Sequence, residues 1–415
     1  MTKCHVILSR RKKVEQPMNN RSLAKVADEF GTPFYLFDKD RFVTNVNDLN
    51  DCFNEIYSNF QLAYSFKTNY ATCICREAKK LGMYAEVVSP MELHHAIELG
   101  FKHIIYNGVC KTEKSIFEAV NRNAIINIDS LTDFRKLVVA AGYKRPKIGL
   151  RLNIDIGNGL NSRFGVVPYS ADYDRIIEEA DAYGIEIVGL HCHLSEARDI
   201  GSWESRCNAM LKIADEFPCL KYIDMGSNLY SRMHDDLRSQ FEGDVPSYED
   251  YACIIANRFK QHYPEENVKL ILETGTPVVS DTVDVVSRVI DIKNIRGQMF
   301  AILDVSKFDV GTICIYKDAP IEVVHASKRR QAHGDYKITG YTCIEGDVLK
   351  DSYKGPLSIG DIVVFKNAGA YSVSGARNFI MPSIPMLQCS NRNGEIAVDL
   401  VKRCSCYEDV FGRFE

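Results

Sequence analysis

Between Gln61 and Gly275 the chain alternates between two textures. Short apolar runs of strand-forming residues come eight times. They are QLAYSFK ending at Lys67, YAEVV at Val88, IIYN at Asn107, IINI at Ile128, KIGLRLN at Asn153, IEIVGLHCHL at Leu194, YIDMG at Gly226 and VKLILETG at Gly275. Stretches with helical spacing fill the gaps, among them ATCICREAKKL, PMELHHAIEL, TEKSIFEAV, LTDFRKLVVAA, DYDRIIEEADAY, the segment from Ser202 to Phe217, and SYEDYACIIANRF. Helix starters stand at several gaps, such as Ser89 before Pro90 and Thr112 before Glu113. Strand–helix alternation of this kind predicts a parallel sheet. Eight units over roughly 220 residues match the size of an α/β fold of the (β/α)8 TIM-barrel type. A doubly wound open sheet competes, but it normally carries a glycine-rich turn after its first strand, and this chain has none there.

After Gly275 the texture changes. Runs such as TVDVVSRVIDIK, MFAILDV, YKITGYTCI, GDIVVFKNAGAY and EIAVDLV are separated by turn residues, with no long helical pattern between them. They predict a second, mostly antiparallel β-domain, either a sandwich or a small barrel. The early run FYLF, at 34–37, is a candidate to join it. The expected division is a barrel over 38–278 and a β-domain from 1–37 and 279–415.

Length and charge narrow the class. A chain of 415 residues exceeds one ordinary core. A net charge of −4 gives no electrostatic case for nucleic acid or an anionic membrane. The basic run Arg10 to Lys13 reads as a solvated arm. No apolar stretch is long enough for a signal peptide or a membrane span, so the expected compartment is the cytoplasm. The 14 cysteines are scattered, with only Cys73-x-Cys75 and Cys404-x-Cys406 as close pairs, which is too little for a zinc site. No metal is expected, and most thiols read as reduced, small apolar residues.

A buried parallel strand has little use for a polar group at its C-terminal end unless that end is the active face of a barrel. Here the strand ends carry Lys67, Glu86, Asn107, Asp129, Arg151 with Asn153, His191 with His193, Asp224 and Glu273. Any one of them also has a plain packing role available, but together they mark one face. His191 and His193 share a side of their strand, so one can line a pocket while the other packs nearby. Lys67 is the unusual member, a cation closing an apolar strand. A lysine among apolar groups is expected to lose its proton more readily and attack an aldehyde. Pyridoxal phosphate uses such a lysine, together with an acid facing its ring nitrogen, a flat group on the ring face and donors for its phosphate. Glu273 is the candidate acid and His193 the candidate stacking group. A Schiff-base aldolase needs the lysine without this electron sink, and remains open on these residues alone.

The same residues resemble a known family, the group-IV pyridoxal-phosphate decarboxylases of fold type III, which include diaminopimelate and ornithine decarboxylases. The likeness runs from about Leu23 to about Gln388. YSFKTN resembles the family's Y-A-x-K-A-N lysine motif, GLHCHLSE its G-L-H-x-H-I-G-S, and LETGT its E-P-G-R. GYTCIEGDVL resembles G-P-x-C-x-x-x-D, and GDIVVFKNAGAYS resembles G-D-x-x-x-x-x-x-G-A-Y. FGTPFYLFDKDRF, AEVVSPMEL, IIYNGVCKTEKSI, INIDSLTDF, LRLNID and SRFGV keep the family's order. The resemblance implies a pyridoxal 5'-phosphate-dependent amino-acid decarboxylase, acting as a homodimer with shared active sites. Lys67 would bond to the cofactor aldehyde, Glu273 would pair with the ring nitrogen and His193 would stack. Glu86 and Arg151 would flank the lysine, paired with each other. Gly226, Gly275 and Tyr371 would also border the cofactor. Cys343 and Asp347 would reach the substrate from the other subunit, with the cysteine handling the proton after carbon dioxide leaves.

Several positions depart from the family pattern. The glycine-rich D-I-G-G-G-F turn is DMGSNLY here, so Ser227 and Asn228 stand where glycines are usual and only Gly226 remains. Glu196 takes the serine position of H-I-G-S, and Thr276 takes the arginine position of E-P-G-R. At the substrate end, Thr312 stands where an arginine holds a distal carboxylate. Ile344 stands where an acid holds a distal amine, with Glu345 one place further on. Diaminopimelate, ornithine and lysine each lose their usual partner, which points to a modified or carrier-linked amino acid. A catalytically impaired homologue serving as a binding or regulatory protein is the alternative. A racemase on the related barrel has less support, because the β-domain motifs are of the decarboxylase kind.

Overall fold

The computed structural model describes residues 18–159, 161–326 and 333–414. The basic run Arg10 to Lys13 lies outside them. Strand β1, Phe34–Asp38, comes first and belongs to the second domain. The eight expected barrel strands follow as β2 Phe60–Ser65, β3 Tyr84–Val87, β4 Ile104–Tyr106, β5 Ile125–Ile128, β6 Ile148–Arg151, β7 Ile187–His191, β8 Tyr222–Asp224 and β9 Lys269–Thr274. They pair in parallel in that order, and β9 closes on β2 with Phe60 opposite Leu270 and Tyr64 opposite Thr274. Each strand is followed by helix, as the alternating texture requires.

Side chains on these strands divide between two cores. Ala63, Ile105, Val188, Tyr222 and Ile271 fill the bore. Leu62, Val87, Ile128, Leu190 and Leu272 belong to the large core shared with the surrounding helices. In the bore, the Tyr222 hydroxyl donates to Asn127 Oδ1 at 2.9 Å, and Asn127 donates to Asn107 Oδ1 at 2.8 Å. A polar ladder therefore climbs from the barrel centre toward the strand ends, each member satisfied by the next.

The remaining strands are β10 Val283–Ile295, β11 Gln298–Leu303, β12 Ile321–Val324, β13 His333–Thr339, β14 Val348–Pro356, β15 Ile362–Phe365, β16 Met386–Arg392 and β17 Glu395–Lys402. Their sheet runs β14-β13-β11-β10-β1-β16-β17, with β15 joining β10 to β12. It is mostly antiparallel; β1 with β16 and β11 with β13 are the parallel pairs. Alternate residues of β1 serve two cores. Tyr35 and Phe37 join the large one, while Phe34 and Leu36 pack with Val286, Val364 and Leu387. The helix Asn20–Phe30 covers that second face with Leu23, Val26 and Ala27, and its N-cap Asn19 accepts from the Ser22 amide. Two short helices, Lys307–Val310 and Thr312–Tyr316, interrupt the run of strands.

Candidate active site

The first barrel strand stops at Ser65, and Lys67 sits in a single tight turn, Phe66–Thr68. The turn is fixed from both domains. Tyr64 donates its hydroxyl to Asn69 O at 2.8 Å. From the β-domain, the Tyr371 amide donates to Thr68 O at 2.8 Å, and Gly369 O accepts from Asn69 Nδ2 at 2.9 Å. The turn also needs Gly275, since a Cβ there would fall 2.0 Å from Thr68 Oγ1. The amine is thus held at the barrel mouth by groups distant in sequence.

Lys67 Nζ pairs with the fully buried carboxylate of Glu86. Glu86 Oε1 accepts from Asn107 Nδ2 at 3.1 Å, and the same amide donates to Glu273 Oε1. His191 Nε2 faces the other Glu273 oxygen at 3.4 Å. The expectation of a readily deprotonated lysine is overturned here. Burial alone would pull the Lys67 pKa down, but Glu86 first and Glu273 second outweigh it and hold it above the ordinary lysine range. Lys67 is an ammonium ion in this state.

Glu273 is buried, and burial alone would raise its pKa. The neighbouring His191 ring and the Lys67 charge outweigh burial and hold it well below the usual carboxylate range. Ligand atoms of Asp224, Glu273 and His191 converge within 4.8 Å. Two buried carboxyls this close do not both ionise. Burial, and then the charge of Glu273, push Asp224 far above its ordinary range. Its Oδ1 accepts from the Gly226 amide at 2.9 Å, and among the described residues no donor reaches its Oδ2, which suits a proton carried there.

His193 lies beyond β7, half-buried. Its Nδ1 accepts from the Ser227 amide at 3.3 Å. Burial, then the Lys67 charge, lower its pKa well below the ordinary value, so the imidazole is neutral with its proton on Nε2. Gly226 brings the following loop against this ring; at φ +59° its Cβ would lie 2.8 Å from His193 Nδ1. Tyr371 is 39 % exposed, and its phenol is near enough to contribute to the raised pKa of Lys67.

Two expected placements are corrected. Arg151 does not pair with Glu86. It bonds Asp129 Oδ1 at 3.2 Å and lies over the Phe164 ring at 4.8 Å. Strands β4 and β5 separate β3 from β6, whereas Asp129 directly follows β5, the neighbour of β6. Asp347 is not free to hold a substrate. It is 2 % exposed, its Oδ1 accepts from the Lys307 amide at 2.9 Å, and its Oδ2 accepts from Thr342 Oγ1 at 2.7 Å. It clips the loop that presents Cys343 and Ile344. Both of these are exposed, and Cys343 does not join the Lys67 cluster within the chain.

Asn107 and Asp224 stood among the polar strand ends in the sequence without an assigned role, yet both lie against Glu273. The pair Lys111–Asp133, at 2.6 Å and buried on both sides, carried no distinguishing signal in the sequence. At the altered turn, Glu196 is exposed, while Arg198 Nε donates to Asn228 Oδ1 at 2.7 Å.

Pyridoxal phosphate makes specific demands, and the ring end of the site meets them. Glu273 is an anionic acid held by Asn107 and His191, His193 offers a neutral flat ring, and Lys67 lies across from Glu273 on the adjacent strand's turn.

Comparison with known proteins agrees. Residues 40–280 match the family described as pyridoxal-dependent decarboxylase, pyridoxal binding domain. The chain is 25% identical to diaminopimelate decarboxylase of Methanocaldococcus jannaschii, over 94% of this chain and 92% of that protein. It is 27% identical to the Aquifex aeolicus diaminopimelate decarboxylase, over 87% of each. The fold matches a crystal structure of the M. jannaschii enzyme in complex with L-lysine, with TM-score 0.82, 24% identity and 94% of both chains covered. It also matches the arginine decarboxylase of Paramecium bursaria Chlorella virus bound to agmatine, with TM-score 0.73, 20% identity, and coverage of 87% of this chain and 97% of that one. With more than half its length matched to that family, this chain belongs to the pyridoxal-dependent decarboxylases.

Proposed function

We propose that this decarboxylase acts on an amino acid whose far end carries neither a free carboxylate nor a free amine. The enzyme class follows from the family: a pyridoxal-phosphate-dependent amino-acid carboxy-lyase. The observation that carries the chemistry is the buried, anionic Glu273, braced by Asn107 and His191. Bound pyridoxal phosphate supplies an electron sink for the pair left behind when the carboxylate departs as carbon dioxide. Glu273 keeps a proton on the ring nitrogen, which strengthens that sink. His193 covers one ring face and Lys67 Nζ provides the covalent anchor. Cys343, offered by a second copy of this chain in a homodimer, delivers a proton from Sγ to the carbon that lost its carboxylate.

The substrate reading rests on Ile344, next to that cysteine, and on Thr312. Ile344 is apolar and 38 % exposed beside it. The Thr312 hydroxyl is turned to Ala370 O at 3.4 Å and carries no charge. A charged distal group would be desolvated there without a partner. A side chain capped by acylation, or linked to a carrier, fits better. Retention of Lys67, Glu273 and His193 speaks against an impaired homologue.

The test is carbon dioxide release from diaminopimelate, ornithine, lysine and arginine against the same amino acids with distally acylated or amidated ends. Higher kcat/KM on capped substrates is expected. Preference for free diaminopimelate would refute the substrate reading, and release that survives Lys67→Ala would refute the mechanism. Sedimentation should show a dimer.

A further inference from the structure

Two loops meet beside His193. One follows β7 (194–199) and the other follows β8 (225–230). The chain fastens them together before any ligand arrives. Arg206, 0 % exposed on the helix Ile200–Ala214, donates to Leu194 O and Ala197 O of the first loop at 3.3 and 3.2 Å. It also donates to Ser227 O of the second at 3.1 Å. Tyr251 makes a second clasp. Its hydroxyl donates to Arg198 O at 2.7 Å and accepts from the Tyr230 amide at 3.3 Å.

Arg198 stands on this clasped pair of loops. Its backbone is fixed by Tyr251, its Nε is bound to Asn228 Oδ1, and its guanidinium lies 5.3 Å from the centre of the Tyr230 ring. Among the described residues no carboxylate forms an ion pair with it. The terminal nitrogens of the fork make no bond to protein in the described residues, although the group is half-buried. Asn228 is held at φ +111°, a backbone region that favours glycine, and its Nδ2 is buried without an acceptor. Two sets of donors, one cationic and one neutral, are therefore oriented at one place and lack acceptors. Arg206 adds a buried positive charge that bonds carbonyl groups and lies over the Trp203 ring at 3.9 Å, with no carboxylate paired to it among the described residues. Glu196, the nearby acid, is turned to solvent.

We propose that Arg198, oriented by Asn228, is the residue that grips the cofactor's phosphate group. The assignment rests on the decarboxylase reading with Lys67 as cofactor lysine. A phosphate dianion supplies the acceptors that both side chains lack, and a guanidinium fork matches its geometry. The side chains at 227 and 228 that replace a bare backbone nest thus bring their own donors. The charge absent at Thr276 is present on the neighbouring loop.

The experiment compares equilibrium binding of pyridoxal phosphate and of pyridoxal, which lacks the phosphate, to wild type, Arg198→Gln and Arg198→Lys. Variants are used only when their circular dichroism matches wild type. Loss of one charge-assisted fork should weaken pyridoxal phosphate binding about 10- to 100-fold in Arg198→Gln while pyridoxal changes less than about twofold. Arg198→Lys should fall between. An unchanged ratio of the two affinities overturns the assignment.

A second measurement needs no variant. Phenylglyoxal labelling of Arg198, located by mass spectrometry, should be slowed by pyridoxal phosphate and by inorganic phosphate, but not by pyridoxal. Labelling indifferent to both phosphates overturns the proposal. If Lys67 captures neither aldehyde in wild type, the decarboxylase reading falls as well. If Lys67 captures both without phosphate preference, only the role of Arg198 falls.

Discussion

Replacing Glu86 with glutamine isolates what holds Lys67 protonated. The carboxylate is fully buried, pairs with Lys67 Nζ, and accepts from Asn107, so glutamine keeps the shape and removes the charge. Opposite charges about 4 Å apart attract by about 1 kcal/mol in water and about 4 kcal/mol near a protein surface. The Lys67 side chain is 31 % exposed, so solvent screens part of this and a value of about 2 kcal/mol is reasonable. That energy corresponds to about a 30-fold larger share of neutral amine at any pH below the lysine's pKa. Only the neutral amine attacks an aldehyde. Stopped-flow capture of pyridoxal phosphate by cofactor-free protein, followed at the absorbance of the bound form, reads this share. In wild type the rate should climb about tenfold per pH unit across neutrality, because the ammonium form dominates there. Glu86→Gln should capture faster at pH 7, by about the same 30-fold. Capture that is unchanged or slower, with Lys67 still the labelled residue, would refute the idea that Glu86 sets the protonation of the lysine.

Other outcomes follow from the same contacts. Arg206→Leu strands the carbonyls of Leu194, Ala197 and Ser227 and should cost about 3 kcal/mol or more, read as a fall in thermal midpoint. Asp224 is kept protonated in the folded protein but ionises when unfolded, so its contribution is most favourable at acid pH and is lost as pH rises. Asp224→Asn should therefore stabilise the cofactor-free protein at pH 7, by a margin that shrinks about 1.4 kcal/mol per pH unit toward pH 4, measured by urea unfolding. Asp347→Ala should loosen the loop carrying Cys343, seen as faster proteolysis there and a stability loss of about 1–3 kcal/mol.

The barrel was legible because each of its strands is buried on both faces and leaves a continuous apolar run, broken only where a polar group reaches the mouth. Lys67, Glu86, Asp224 and Glu273 could be found that way. Which of them would pair with which could not. Arg151 takes Asp129 rather than Glu86 because strand order decides adjacency, and the protonation of Lys67 depends on acids 19 and 206 positions away, at Glu86 and Glu273. The helix Asn20–Phe30 did carry a signal, an Asn19 cap with Leu23, Val26 and Ala27 at helical spacing, but its short apolar stripe is easily passed over beside FYLF. Strand β14 is hidden for a different reason. DSYKG lies at a sheet edge, pairs only with β13 among the described residues, and is largely polar, as exposed edges tend to be. Asp347 was legible as a motif residue but not as a loop clip, since the Lys307 amide that it accepts from is 40 residues away.

The mechanism requires that Lys67, among the chain's lysines, carry pyridoxal phosphate. Cofactor-free protein is mixed with one equivalent of pyridoxal phosphate, reduced with borohydride, digested and mapped by mass spectrometry. One predominant phosphopyridoxyl label is expected, on Lys67, lost in Lys67→Ala together with carbon dioxide release. A label spread over surface lysines such as Lys80 and Lys147, or none at all, would contradict it.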